Sequence, residues 1–463
     1  MTTNRGFVAA PETDAARQEE TTMQKTAGIH HITAFAGDPQ ANVDFYAGVL
    51  GLRLVKVTVN FDAPDVYHFY FGNETGQPGT AMTFFPFRGA RRGRAGGGQV
   101  AYTTFVVPAG TLDFWEKRLQ KFGIEHQRTR RFGETFLQFT DHDGLQLELV
   151  AREEGPGSTW SFGGVPADKA VKGFGGALLY SIAPGRTLET LENLMGLERV
   201  GESEDGRYVR LRARGDLGQI IDVRAHAVRP GVGGAGTVHH IAWRADDVHD
   251  QERWRQRVAA AGFSVTPIVD RKYFTSIYFR ETGGILFEIA TDEPGFAVDE
   301  PVEALGEKLM LPPWLEPHRE QLQASLQPFE VRVLEQDLAG GRRPAWTEAG
   351  PGPGRAVPGP DRAGSENGVK PCAGRARPRA RKEVSRHEHE TRFSARRGGC
   401  ADAPAAARHG RQRARPAPAG AGHRPVRGGA QRARQRAGAR HAALLPPPRH
   451  GRLRRGRLGL PHP

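Results

Sequence analysis

Cysteine is almost absent: the chain has two in 463 residues, Cys372 and Cys400, and residues 1–340 contain none. That excludes a disulfide framework, a thiolate zinc site and a thiol nucleophile from the first three quarters of the chain. Long apolar runs are missing too; none approaches the ~20 residues that span a bilayer. The opening MTTNRGFVAAPETDAARQEETT is polar and has no signal-peptide core. A soluble, cytoplasmic protein with no membrane partner is the expectation. The third scarcity is local. Beyond residue 340 there are 27 Arg but two Lys, two aromatics (Trp346 and Phe393), and no Ile, Tyr or Met. The formal charge of +13 hides a division: residues 1–340 carry −9 and the remainder +22. Whole-chain basicity therefore says nothing about the part able to fold. The basic part lacks interleaved Lys and aromatic spacing, so no specific nucleic-acid partner is expected.

What is present is a repeat. Four segments, about residues 28–87, 99–151, 174–225 and 237–291, share one plan: an opening strand, a helix, then strands ending on an apolar run after glycine. The helical stretches ANVDFYAGVLG, DFWEKRLQKFG and ERWRQRVAAAG space apolar residues by three and four and stop at glycine. One such unit cannot bury its own sheet face, so units must pair. The fold class is α+β: four βαβββ modules paired into two domains, plus a disordered Arg-rich C-terminal tail. Residues 1–24 read as a disordered extension, with Met23 a candidate start. Residues 25–155 read as a first module pair, 156–172 as a Gly/Pro/Ser-rich linker, and 173–338 as a second module pair with a closing segment that carries one amphipathic helix. Residues 339–463 cannot bury enough apolar area to fold. Their Arg/Ala/Gly/Pro excess is what GC-rich coding DNA yields out of frame. Shifted by one base, PAAARHGRQR and the final LLPPPRHGRLRRGRLGLPHP can be written as segments resembling serine carboxylesterases of the α/β-hydrolase type. A frameshifted esterase fusion is the reading.

Two opening strands contain a histidine pair, IHHIT (His30, His31) and VHHIA (His239, His240), and module four closes on GGILFEIA, with Glu288. Leu286, Glu288 and Ala290 share one strand face, so a carboxylate sits among apolar neighbours and needs a partner. Two neutral imidazoles and one carboxylate with open positions form the facial triad of non-haem Fe(II) oxygenases. A single such histidine is more often structural; recurrence at matched positions places a metal between modules one and four. Modules two and three open on VAYTTF and GALLYSI, without histidine, so Glu148 and Asp222 in their closing strands read as structural or solvent-exposed.

The stretches GIHHITAFAGDPQANVDFYAGVLGLRLVK, VYHFYFGNETGQPGTAMTFFPF, VHHIAW, DRKYFTSIYFRETGGILFEIATDEPGF and LPPWLEPHR, in this order, resemble the vicinal oxygen chelate superfamily (glyoxalases, bleomycin-resistance proteins, extradiol dioxygenases). Within it, the resemblance is to hydroquinone-type ring-cleaving dioxygenases, over roughly residues 24–335. The resemblance implies Fe(II) held by His31, His240 and Glu288. It places His30, His239, Thr33 and Arg271 around the ligands and Tyr278 against the substrate, with His239 the candidate acid/base. The implied substrates are a hydroquinone or catechol and O2, and a homo-oligomer is an open expectation. Strand alternation, however, points adjacent histidines to opposite faces, so His30 and His239 can approach the site only through a bulge or twist. A glyoxalase-type lyase is the competing chemistry, and a non-catalytic aromatic- or drug-binding member a second alternative. The lyase site uses a fourth ligand; aligning GTAMTFF with GILFEIA puts Thr83 there, which favours the oxygenase.

Overall fold

The computed structural model describes residues 24–335. Within them the four repeats appear as expected. The first runs β1 (Ile29–Ala36), a helix Pro39–Val43 that continues as π-helical turns Asp44–Val49, β2 (Arg53–Asn60), β3 (Ala63–Gly72) and β4 (Ala81–Pro86). The second has β5 (Gln99–Val107), the helix Leu112–Lys121, β6 (His126–Arg131), β7 (Glu134–Thr140) and β8 (Gln146–Ala151). The third has β9 (Gly173–Tyr180), the helix Pro184–Glu189, β10 (Glu198–Glu202), β11 (Tyr208–Arg212) and β12 (Ile220–Arg224). The fourth has β13 (Thr237–Ala245), the helix Val248–Ala260, β14 (Val269–Asp270), β15 (Phe274–Arg280) and β16 (Leu286–Pro294). Local chemistry explains the helices. The Asp247 carboxylate accepts the Asp250 N–H at 2.7 Å and so caps the fourth. Its Trp254 and Val258, one turn apart, are fully buried.

The strands form two eight-stranded curled sheets, β14-β15-β16-β13-β1-β4-β3-β2 and β10-β11-β12-β9-β5-β8-β7-β6. The first unites modules one and four, the second modules two and three. The pairing thus crosses the division between residues 25–155 and 173–338; those boundaries separate stretches of chain, not sheets. The reason is that β1 and β13 each have one free edge and meet antiparallel at the centre of the first sheet, as β5 and β9 do in the second. The stretch 156–172 is also more than a tether, since Trp160 lies against the Arg53 guanidinium on β2, 4.9 Å from its ring centre.

The β1–β13 register slips twice. Ile29 pairs with Trp243 and His31 with Ala242, leaving His30 extra; Thr33 pairs with His240 and Ala34 with Val238, leaving His239 extra. These are the bulges that the histidine pairs require. Beyond them Ile29, Ile32, Ala34 and Ala36 join the main hydrophobic core, as do Val238, Ile241, Trp243 and Ala245. The histidines are left together on the concave face.

The closing segment returns to module one as a strap. Leu309 bridges to Val57, the Lys56 ammonium meets Asp299 at 2.7 Å and also Glu300, and Arg332 pairs with Asp44 at 2.6 Å. Its α-helix is the short, two-turn Arg319–Ser325, which turns Leu322 onto the main core, where Leu311, Leu326 and Leu334 of the same strap are buried. The expected extension 1–24 is described only at Gln24, whose amide donates to Asp250 at 2.7 Å. The expectations for the remainder of that extension and for 339–463, including the frameshifted esterase, lie outside the described residues. Among the described residues no helix is long and apolar enough to cross a membrane.

Candidate metal centre

His31, His240 and Glu288 converge on the concave face of the first sheet. One ligand atom from each lies within 4.8 Å of the others. His31 Nε2 is 3.3 Å from His240 Nε2, and Glu288 Oε2 is 3.4 Å from the first and 2.8 Å from the second. Ligands held at about 2.1 Å by one ion lie about 3.0–3.4 Å apart, so these spacings suit a common metal. All three side chains are buried. Ser276 donates to Glu288 Oε1, whereas Oε2, despite its short distances, accepts no well-aligned hydrogen bond. A buried carboxylate oxygen without a hydrogen bond, aimed at two imidazole nitrogens, fits a cation. Burial would push the Glu288 carboxyl up, but the facing imidazoles outweigh it and hold it well below the usual carboxylate range. Burial lowers His240, against the pull of Glu288.

The bulged histidines back the ligands. His30 Nδ1 is 2.9 Å from His31 Nδ1, and His239 Nδ1 is 2.8 Å from His240 Nδ1. On the far side, His30 Nε2 is 3.1 Å from the Thr291 carbonyl. A carbonyl only accepts, so His30 carries its hydrogen on Nε2 and accepts at Nδ1. His31 must then donate from Nδ1, which leaves its Nε2 lone pair for a metal. His239 has no such backstop: among the described residues its Nε2 has no protein partner. Burial first, then His240, brings its pKa to about 3, and burial likewise holds His30 well below its ordinary value. The two bulged residues are thus equivalent in register and different in connection.

Tyr278 pairs across the strands with Glu288. Its hydroxyl accepts from Arg271 Nε at 3.1 Å, and Arg271 also reaches Asp62 at 3.3 Å. Thr33 lies across from His240 and beside Thr83, whose hydroxyl is 2.7 Å away. Seven of the eight expected site residues therefore belong to one sheet, and the eighth, Arg271, lies in the turn between its strands β14 and β15. Sequence reasoning missed His68 and Tyr70 on β3, and Ser276 on β15. The signal was the alternation in VYHFYFG, which puts His68 and Tyr70 on one face.

The second sheet repeats the register. Val100 pairs with Leu179 and Tyr102 with Leu178; Thr104 pairs with Gly176 and Phe105 with Phe174. Tyr102 thereby stands where His31 does and Gly176 where His240 does, while Glu148 matches Thr83 and Asp222 matches Glu288. A side chain at Gly176 is impossible as built: its φ is +146° and a Cβ would sit 2.0 Å from the Ile220 carbonyl oxygen. Arg131 fills the centre. Its guanidinium donates to Glu148 at 2.9 Å and to Asp222 at 2.6 Å, with Arg210 adding a bond to Asp222 at 2.7 Å and Thr104 one to Glu148 at 2.6 Å. Glu148 and Asp222 are buried and ion-paired, so the solvent-exposed half of the expectation is wrong; desolvation makes a guanidinium partner necessary.

This architecture is that of one superfamily, and the chain belongs to it: the sequence model of the Glyoxalase/Bleomycin resistance protein/Dioxygenase superfamily matches residues 28–149 and 177–289. Among particular relatives, the chain is similar to the Bacillus subtilis protein named "Putative ring-cleaving dioxygenase MhqO", 59% identical over 312 residues, 67% of this chain and 99% of that one. It is 36% identical over 314 residues to the chlorohydroquinone/hydroquinone 1,2-dioxygenase of Sphingobium indicum, 65% of this chain and 95% of that one. The crystal structure of a "putative dioxygenase" from Bacillus subtilis superposes with a TM-score of 0.66 at 59% identity, over 67% of this chain and all of that one.

Proposed function

We propose that the protein is an Fe(II)-dependent dioxygenase that inserts O2 into the ring of a hydroquinone or catechol, with His31, His240 and Glu288 as the metal ligands. The observation that carries the reading is the convergence of two imidazole nitrogens with a carboxylate oxygen that accepts no hydrogen bond, in the sheet shared by modules one and four. The names of the ring-cleaving relatives supply the substrate class. When bound, the metal supplies Lewis acidity to ionise a ring hydroxyl and a path for electrons between ring and dioxygen.

The chain's own residues do the rest. His30 fixes the His31 tautomer through the Thr291 carbonyl. His240, ligating through Nε2, donates its Nδ1 hydrogen to His239 Nδ1, so neutral His239 holds its hydrogen on Nε2. His239 therefore acts at Nε2 as a donor to a substrate oxygen before it acts as a base. Tyr278 and Arg271 orient a second oxygen, the guanidinium stabilising negative charge as it develops. Thr83, where a fourth ligand would stand, offers a hydroxyl already bonded to Thr33 and His68, which disfavours the lyase.

The test is anaerobic loading with Fe(II), metal analysis, and oxygen uptake against a panel of hydroquinones and catechols. One iron per chain and uptake with a diphenol are expected. Glutathione-dependent isomerisation of methylglyoxal without uptake on any diphenol would reverse the assignment.

A further inference from the structure

Three hydrogen bonds on the module-one side of the site join four groups in line. The Tyr70 hydroxyl meets His68 Nδ1 at 2.8 Å, His68 Nε2 meets the Thr83 hydroxyl at 3.0 Å, and Thr83 meets the Thr33 hydroxyl at 2.7 Å. Tyr70, Thr83 and Thr33 are buried. Burial, with His31, His240 and Arg271 adding to it, keeps His68 neutral. A neutral imidazole has one N–H, and each hydroxyl has one O–H, so four hydrogens serve three links. One hydrogen is left over, either on Tyr70 or, since a threonine hydroxyl can accept twice, on one member of the Thr83–Thr33 pair, and these two places differ.

Tyr70 packs against Phe296, ring centres 4.9 Å apart, and Tyr273 at 6.2 Å, and among the described residues its hydroxyl has no second hydrogen-bond partner. A phenol hydrogen left over there would be buried without an acceptor, which is costly. The Thr33 end faces the metal site, across the strands from His240. The line therefore runs one way. Tyr70 O–H donates to His68 Nδ1 and His68 Nε2–H donates to Thr83, so the hydrogen left over belongs to the Thr83–Thr33 pair of hydroxyls.

We propose that this line is a positioning device that leaves one hydroxyl hydrogen of the Thr83–Thr33 pair unspent, to be donated to an electron-rich oxygen of a ligand seated beside it, with His68 and Thr83 as the residues that direct the line. It rests on the dioxygenase reading for the identity of that ligand, but not for the direction of the line. The pseudo-symmetry of the sheet supports it: Ser276 steadies Glu288 at one corner, and His68 steadies Thr83 at the matching one.

Two measurements test it. In long-range ¹H–¹⁵N spectra of metal-free protein labelled at histidine, with the His68 signals assigned by their loss in His68→Gln, His68 should be protonated at Nε2 and bare at Nδ1. The opposite tautomer would overturn the proposal. In the iron-loaded enzyme, Thr83→Val and His68→Leu should each lower kcat by about 10–100-fold, with iron content unchanged and the KM for the diphenol within about threefold of the parent. His68→Gln, whose amide can accept from Tyr70 and donate to Thr83, should restore most of the rate. Parental kcat in both Thr83→Val and His68→Leu would overturn it. Should His68→Leu fail to fold, Thr83→Val decides. Should the parent protein take up no oxygen with any diphenol, the dioxygenase reading fails, while the tautomer still decides the direction of the line.

Discussion

The two sheets carry the same register, with opposite solutions at the centre. In the first, two imidazoles and a carboxylate leave one oxygen unsatisfied, as a cation would require. In the second, the matching carboxylate, Asp222, and its neighbour Glu148 close around Arg131. The second sheet carries its positive charge in its own Arg131, whereas the first has no side-chain cation among its converging groups and has the donor set of a metal site. The difference teaches that a curled sheet of this kind needs its central carboxylates neutralised before it needs any chemistry.

Breaking the first centre should have the largest effect. Glu288→Gln should lose the metal and reduce oxygen uptake by more than ~100-fold, since loss of an outer partner alone costs about 10–100-fold. Metal analysis beside an oxygen electrode checks it; a variant with full iron and turnover would remove Glu288 from the ligand set. Breaking the second centre should act on stability alone. Arg131→Leu leaves Glu148 and Asp222 buried without their cation and should cost about 3–5 kcal/mol, seen in denaturant unfolding, while turnover per folded molecule stays at the parent value.

The comparison narrows to the two bulged histidines. His30→Gln should weaken metal affinity by about 10–100-fold. His239→Gln should leave the metal bound and lower kcat, because among the described residues His239 Nε2 faces no protein acceptor. Titration of the metal-free chain sharpens the contrast further. Burial keeps His30 and His68 well below their ordinary values, His240 lower than usual, and His239 at about 3. Unfolded imidazoles near pKa ~6.5 bind protons that the folded ones refuse, so folding stability falls as pH drops below that value, by at most ~1.4 kcal/mol per pH unit per histidine. Among these histidines none lies in the second sheet, so hydrogen exchange should rise first around β1 and β13 as the pH is lowered. The smallest effect should come from truncation after Leu338: relatives are matched over essentially their whole length by two thirds of this chain, and iron content and rate should not change.

Much of this was legible in the sequence. The four repeats follow from strand and helix periodicity, and the matched positions of His31, His240 and Glu288 pointed to modules one and four. The bulges were not legible. Alternation alone sends His30 and His31 to opposite faces, and only the β1–β13 pairing, which joins residues more than two hundred positions apart, absorbs the extra residue. The same long-range pairing hid the true partnership of modules behind the order of the chain. Arg131 was hidden differently: HQRTRR on β6 has the pattern of a solvated edge strand, and nothing local shows that its last arginine turns inward between Glu148 and Asp222. His68 went unnoticed because its partners, Tyr70 and Thr83, are ordinary core residues until their hydroxyls are placed.

The meeting of β1 with β13 also sets an order of events during synthesis. Every strand of the second sheet lies between Gln99 and Arg224, so that sheet can close as soon as this contiguous stretch has left the ribosome. The first sheet cannot: Ile29 must wait for Trp243, and the strap must then arrive to cover Lys56. Long-range pairing of this kind is slow, and unpaired strand edges are prone to aggregate while it is pending. The nascent chain therefore carries module one, with His30 and His31, as an open half-sheet beside an already finished neighbour. Of the two sheets, the one that brings His31, His240 and Glu288 together is the last to close.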